Sequence, residues 1–334
     1  MIEDFPLLSK DVISIFSGNA NLPLARKIVE HLGLQLSNAE VKHFSDGEIW
    51  VEIEESVRGK DVYLIQPTCP DANQNIMELL IMLDAASRAS ADRITAVIPY
   101  YGYARQDRKV APRAPISAKL VADLITTAGA DRVLTVDLHA GQIQGFFNVP
   151  VDNLYATPVL MECLEQHPEF QSDYEIVVVS PDAGGVRRAR YSAALLKKEP
   201  EMAVIDKKRK GPNVLDDQMT LIGQVKNKVA VIVDDIVDTA GTLIKAAAKL
   251  KEEGAIKVFA STTHAVLSGN ALENIQNPVL DKLFITDTIP LKPKAKLMQK
   301  ICQVTISKIL AQAIYNIHRG ISVSSLFKDV KEAN

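Results

Sequence analysis

The chain has 334 residues, 47% hydrophobic and 5% aromatic, enough for a sizeable core and long enough to favour two domains. The 38 Lys and Arg set against 41 Asp and Glu give a formal net charge of -3, so no global field draws it to nucleic acid or an anionic membrane, and any anion site must be built locally. Cys69, Cys163 and Cys302 lie far apart and form neither a CxxC nor a disulfide ladder, the opening MIEDFPLLSK has no signal-peptide pattern, and no apolar run reaches membrane-span length; a cytoplasmic protein is expected.

Short β-branched runs alternate with helical patterns, the signature of βα units and a parallel sheet. In chain order the strands expected are Val12–Gly18, Asp61–Pro67, Arg93–Tyr101, Arg132–His139, Glu175–Asp182, Met202–Asp206, Val229–Asp235, Lys257–Ala265 and Lys282–Ile289. Helical periodicity marks Asn73–Ser90, Ser117–Ala130, Gly241–Gly254 and a long final stretch, Lys296–Gly320. Polar, breaker-rich loops are expected at Lys109–Pro115 and Asp206–Asp217.

One internal echo stands out. GADRVLTVDLHA (Gly129–Ala140) and GAIKVFASTTHA (Gly254–Ala265) share Gly-Ala, a basic residue, Val and His-Ala at the same spacing, and the preceding helical stretches align at that offset without a gap. Where the second half reads DTAGT (Asp238–Thr242), the first reads RAPIS (Arg113–Ser117). Two copies of one α/β domain, only the second with the acidic turn, is the simplest reading; chance likeness of two common helix–strand units is the alternative.

That turn follows the unbroken apolar run Val229–Val233: Asp234, Asp235 and Asp238 arrive within five residues, then Thr239, Ala240, Gly241 and Thr242 lead into a helix. Unpaired carboxylates at a core edge are costly, so three of them need a purpose. Beyond the carboxyl end of a parallel strand, backbone N–H groups at a helix start suit a phosphate, and the carboxylates suit vicinal hydroxyls. Together these describe a sugar phosphate. A plain N-cap at Asp238 beside two solvated acids is the alternative.

VIVDDIVDTAGT resembles the phosphoribosyl-binding loop shared by type I phosphoribosyltransferases and the ribose-phosphate pyrophosphokinase family. FSDGEIWVEIEESVRG (Phe44–Gly59), YYGYARQDRK (Tyr100–Lys109), VDLHAGQIQGFF (Val136–Phe147), SPDAGG (Ser180–Gly185) and DKKRKGPNV (Asp206–Val214) resemble the pyrophosphokinases in that family's own order, over nearly the whole chain. The resemblance implies transfer of the pyrophosphoryl group of Mg-ATP to the 1-hydroxyl of ribose 5-phosphate, giving phosphoribosyl pyrophosphate and AMP. It implies two similar α/β domains of type I phosphoribosyltransferase fold, each a mainly parallel sheet flanked by helices: 1–155 on the ATP side without the sugar-phosphate loop, 156–315 with it, and a C-terminal segment, 316–334, packing back on the first.

By motif register Lys207 and Arg209 are the catalytic pair, in a run of four cations whose plainer reading is a solvated turn. The family more often reads Lys-Arg-Arg-Pro; Lys208 and Lys210 here depart from it, which bears on the loop's motion and not on the pair. Arg209 with Asp234, Asp235, Asp238 and Thr239–Thr242 is expected to hold ribose 5-phosphate. Phe44, Asp46, Gly47, Glu48, Arg105 and Gln106 are expected to hold ATP, as a stacking face, acceptors for the adenine amino group and a planar cation. His139 and Asp182 match the family's metal contacts for Mg²⁺, two ions in all; a lone histidine is more often structural, and His139 would act through water or on ATP phosphate because Mg²⁺ prefers oxygen. The FSDGE hairpin implies at least a dimer and usually a hexamer. SVSSLF, with Ser322 and Ser324, is similar to the segment that binds regulatory phosphate or ADP, a C-terminal strand being the alternative. The rival readings are a phosphoribosyltransferase, disfavoured by FSDGE and YARQDRK, and a non-catalytic regulatory paralogue, disfavoured because the cations and aspartates are all present.

Overall fold

The computed structural model describes residues 8–168, 170, 173–208 and 218–327. They form two compact units. Unit 1 holds the described residues up to Tyr155, Thr288–Pro290 and those from Thr305 onward; unit 2 holds those from Ala156 to Asp287 and Leu291–Val304. Unit 1 begins with β1 (Ile13–Ser17), α1 (Leu22–His31), β2 (Ala39–His43), β3 (Ile49–Ile53), β4 (Asp61–Ile65), α2 (Ala72–Arg88), β5 (Arg93–Ile98), α3 (Ser117–Thr127), β6 (Arg132–Val136) and β7 (Val151–Leu154). Unit 2 follows with α4 (Thr157–Gln166), β8 (Ile176–Ser180), α5 (Val186–Leu195), β9 (Glu201–Lys208), β10 (Gln218–Ile222), β11 (Val229–Val237), α6 (Gly241–Glu252), β12 (Lys257–Ala265), α7 (Ala271–Ile275), β13 (Lys282–Thr286), α8 (Pro293–Lys296) and β14 (Ile301–Val304). The last helix, α9 (Ser307–Arg319), belongs to unit 1.

Unit 1 carries a parallel sheet in the order β1-β4-β5-β6-β7. Its central strands are buried on both faces, which is why they read as nearly continuous apolar runs. Phe16, Val62, Leu64, Ile94 and Ala96 pack on one side with Leu79 and Leu83 of α2 and Ala122 and Ile125 of α3. Helices α1 and α9 pack on each other, and α9 is pinned where His318 Nδ1 lies 2.9 Å from Asp61 Oδ2, a carboxylate also paired with Arg93. Helix α1 starts where Asn21 Oδ1 accepts from Leu24 N at 3.3 Å, a cap worth about 1 kcal/mol.

Unit 2 carries the order β10-β9-β8-β11-β12-β13-β14, parallel except for the β9–β10 pair. From β8 the chain moves outward to β9, then crosses back to place β11 on the other side of β8. The winding reverses there, and such a reversal leaves a crevice at the strands' carboxyl ends. In unit 1 successive strands of the sheet run in one direction from β1 to β7 without a reversal.

The echo is structural. Helices α3 and α6 end at Thr127 and Glu252, and strands β6 and β12 begin at Arg132 and Lys257, each pair at the offset of the sequence repeat. The stretch Lys296–Gly320, expected as one helix, is instead the end of α8, strand β14 and α9. Ile301 to Val304 pair in parallel with Leu283 to Thr286 at the sheet's edge, and that ladder outweighs a helical period built partly on β-branched residues. Thr305 Oγ1 then accepts from Ser307 N at 3.3 Å as α9 begins.

Candidate functional site

The crevice of unit 2 is built by two loops at the adjacent carboxyl ends of β8 and β11. After β8, Ser180 Oγ donates to the Asp182 carbonyl at 2.7 Å and Gly185 N donates to Asp182 Oδ1 at 3.0 Å, closing a tight turn into α5. A Cβ at Gly185 would lie 2.7 Å from Ser180 Oγ, so the turn closes only on glycine. After β11, the loop is held from outside: Ser268 N donates to the Asp238 carbonyl at 3.1 Å, Ser268 Oγ donates to the Asp238 carboxylate, and Asn274 Nδ2 donates to the Thr239 carbonyl at 2.8 Å. The residue entering α6 is Ala240, in the left-handed region at φ +60, with no side-chain cap. The N-cap at Asp238 that the sequence left open is therefore not what forms. An L-residue held there costs about 1 kcal/mol. The first N–H groups of α6 form the helix's positive end, and the N-cap residue Ala240 has no side chain to cap them, an arrangement suited to an anion.

Asp234, Asp238, Thr239, Ala240, Gly241 and Thr242 line one cavity of ≈ 180 Å³, floored by Ile232 and Thr262. That size suits a small polar molecule. Asp235 lies beside it and is 4% exposed. The Arg188 guanidinium, on the first turn of α5, lies 3.6 Å from Asp234 Oδ1 and 3.4 Å from Asp235 Oδ1. The sequence reading missed Arg188; its signal was the basic run VRRAR just after the SPDAGG turn.

Burial, and then the charge and hydrogen bond of Asp235, push the Asp234 carboxyl up to about 7, against the pull of Arg188. Folding thus favours the protonated form. The stability this gives is full below the ordinary carboxylate range and is lost as pH rises through about 7. The melting temperature of the unliganded protein should fall over that window, and Asp234→Asn should flatten the fall. Thermal melts across pH check this; an unchanged slope in the variant would reject it.

The remaining expected residues lie on separate pieces. Phe44 to Glu48 form the tip of the β2–β3 hairpin, closed by Phe44 N to the Glu48 carbonyl at 2.8 Å, with Gly47 at φ +94. Phe44 is 53% exposed, its ring uncommitted to the core. Arg105 and Gln106 lie in the loop after β5, both exposed; Gln106 accepts from Ser117 Oγ through Oε1 at the start of α3. His139 follows β6 and is exposed, so unit 1 gathers Arg105, Gln106 and His139 at the carboxyl edge of one parallel sheet. Asp182 belongs to unit 2. Lys207 lies on β9, opposite Met219 of β10; Arg209 lies outside the described residues. Ser322 and Ser324 lie not on a strand but where a 3₁₀ turn begins, the Ser322 carbonyl accepting from Asn316 Nδ2 at 3.1 Å.

No group of three or more His, Cys, Asp or Glu among the described residues could hold a metal. A cation binding here would share few protein ligands with substrate oxygens, which is how Mg²⁺ is commonly held. Asp182, an exposed carboxylate with one oxygen committed to its turn, fits that role. No helix among the described residues is long and apolar enough to cross a membrane.

Comparison with known proteins bears on this arrangement. The sequence model for the N-terminal domain of ribose phosphate pyrophosphokinase matches residues 13–129, and that for the phosphoribosyl synthetase-associated domain matches residues 172–328. A ribose-phosphate pyrophosphokinase of Marinomonas sp. (strain MWYL1) is 55% identical over 317 residues, spanning 94% of this chain and 98% of its own. One from Caldanaerobacter subterraneus subsp. tengcongensis is 55% identical over 315 residues, with the same coverage. The crystal structure of phosphoribosylpyrophosphate synthetase from Mycobacterium smegmatis is similar with a TM-score of 0.86 at 39% identity, over 92% of this chain and 99% of that one.

Proposed function

This chain belongs to the ribose-phosphate pyrophosphokinase family, and from that premise we propose how its residues divide the family's reaction. The enzyme transfers the pyrophosphoryl group of ATP to the 1-hydroxyl of ribose 5-phosphate, giving 5-phosphoribosyl 1-pyrophosphate and AMP for nucleotide biosynthesis. The observation that carries the site reading is the acidic loop after β11 at the winding reversal of unit 2, with an uncapped helix start beside it. The 5-phosphate sits on the N–H groups and hydroxyls of Thr239 to Thr242, and Asp234, Asp235 and Asp238 accept from the ribose hydroxyls. The hairpin tip, Phe44 to Glu48, with Arg105 and Gln106, holds ATP: Phe44 stacks, Asp46 and Glu48 accept from the amino group, and Arg105 meets phosphate oxygens.

Attack at the β-phosphorus spreads negative charge over the triphosphate, and the pair Lys207 and Arg209 meets it. The family depends on Mg²⁺; we assign two ions, with Asp182 as the carboxylate contact and His139 reaching the nucleotide side through water, and bound Mg²⁺ would neutralise triphosphate charge. A cytoplasmic location, and association to a dimer and onward to a hexamer, complete the reading. Phosphate and ADP act as effectors at the turn bearing Ser322 and Ser324.

One assay tests the core of this: the protein should release AMP from ATP and ribose 5-phosphate with no nucleobase present, and none when either substrate is omitted. A nucleobase requirement would assign a phosphoribosyltransferase instead. Run with and without inorganic phosphate and ADP, the assay also examines Ser322→Ala with Ser324→Ala, which should blunt those responses at unchanged substrate KM; full retention of both would remove the effector role.

A further inference from the structure

Two carboxylates side by side at a buried strand end repel each other, and without a cation one keeps its proton at neutral pH. A protonated carboxyl presents one fewer acceptor to a sugar hydroxyl. Asp234 and Asp235 are such a pair: Asp235 is almost fully buried, and the Asp235 N–H already occupies Asp234 Oδ1 at 2.9 Å. Other titratable groups stand on the elements around β11: Asp182 in the turn after β8, His264 on β12 in register with Ile236, and Asp238 ahead of α6. The cation that meets both acids comes from α5. Arg188 is itself only 20% exposed and lies within 4 Å of an oxygen of each.

Its place in the chain gives it a second property. Arg188 follows the SPDAGG turn by one helical turn, so the geometry that closes Gly185 onto Ser180 also sets where the guanidinium stands. The turn after β8 and the acidic loop after β11 are therefore joined through one side chain.

Resting on the site reading above, we propose that Arg188 is a positioning residue for ribose 5-phosphate: it aims Asp234 and Asp235 and favours their ionised forms against burial and mutual repulsion, and so sets the lowest pH at which the sugar binds. It acts through the aspartates, not on the reacting atoms. Lysine is a partial substitute, since a single ammonium cannot reproduce the planar fork between two carboxylates.

The test measures ribose 5-phosphate binding by calorimetry and steady-state kinetics across pH for wild type, Arg188→Gln and Arg188→Lys. In Arg188→Gln the KM for ribose 5-phosphate should rise about 10- to 100-fold, with the KM for ATP unchanged. The acidic limb of its affinity should move up by about 1–3 pH units, the size of effect a neighbouring cation has on a carboxylate. Arg188→Lys should fall between, which a glutamine variant that merely misfolds would not predict. An unshifted acidic limb in Arg188→Gln, or a lysine variant as impaired as the glutamine one, overturns the inference. A wild-type chain that itself ignores ribose 5-phosphate would overturn the site reading first, a result distinguishable from these because it appears before any substitution.

Discussion

Lys207→Ala should lower kcat by about three orders of magnitude while leaving ribose 5-phosphate affinity within about twofold of wild type. The separation follows from where the groups sit. The partners proposed for the sugar are on the loop between β11 and α6, which Ser268 and Asn274 hold in place, and none of those holding contacts involves β9. Lys207 is near the end of β9, its backbone opposite Met219 in the antiparallel ribbon that edges the unit 2 sheet. In the proposed reading Lys207 acts apart from the sugar cradle, on charge that develops on the triphosphate. Ground-state binding of ribose 5-phosphate should not register its loss, whereas the transition state should. Lys207→Arg keeps the charge but changes its shape, and should recover part of the rate. Turnover from AMP release, set beside calorimetric binding of ribose 5-phosphate, checks both halves. Near-normal turnover in the alanine variant would remove Lys207 from the chemistry.

The parts of this molecule that could be read in advance share a physical cause. Strands buried on both faces must be apolar throughout, so Val229–Val233 and Ile176–Val179 announced themselves. The aspartates after β11 were legible because carboxylates at a core edge are too costly to be accidental. Helix α5 was not legible: VRRARYSAAL has three arginines in its first half and buries mostly small residues, so its apolar period is faint. Arg188 was lost with it, because its value lies in partners on β11 that no local pattern reveals. Strand β14 was hidden for the opposite reason. Its residues satisfy a helical period, and only the exposed edge of β13 turns them into a strand. The winding reversal at β8 is likewise a property of strand order, which alternation of β and α cannot supply.

Glu78→Ala should destabilise unit 1 by about 2 kcal/mol, a loss that ATP binding should also register. Glu78 is on α2 and 0% exposed, and the hydrogen bonds that hold its carboxylate come from amides. Asn19 N and Gln66 Nε2 donate to Oε1, the latter at 2.6 Å, and Asn19 Nδ2 donates to Oε2 at 3.0 Å. Gln66 in turn accepts from Ala20 N at 3.1 Å, so one buried network fixes the loop after β1. Removing the carboxylate takes the close acceptor from Gln66 Nε2, which is buried and keeps only the Asn75 carbonyl at 3.5 Å, at a cost of about 1–3 kcal/mol, whereas the two Asn19 donors are on an exposed residue that water can reach. Gly18→Ala attacks the same network from the other side, since its Cβ would lie 2.5 Å from both Gln66 Oε1 and Glu78 Oε1. Glu78→Gln should be intermediate: its single carbonyl can serve Asn19 N and Gln66, while its NH₂ group would face the Asn19 Nδ2 donor. The link to function is Asn19, whose Nδ2 also donates to the Val41 carbonyl at 3.2 Å on β2, the strand that leads to the hairpin tip. Loosening it should raise the KM for ATP more than that for ribose 5-phosphate. A thermal melt reads the stability, at about 2–4 °C per kcal/mol for a unit of this size. An unchanged melting temperature in Glu78→Ala would show that the buried acid is dispensable, and equal effects on the two KM values would break the link to the hairpin.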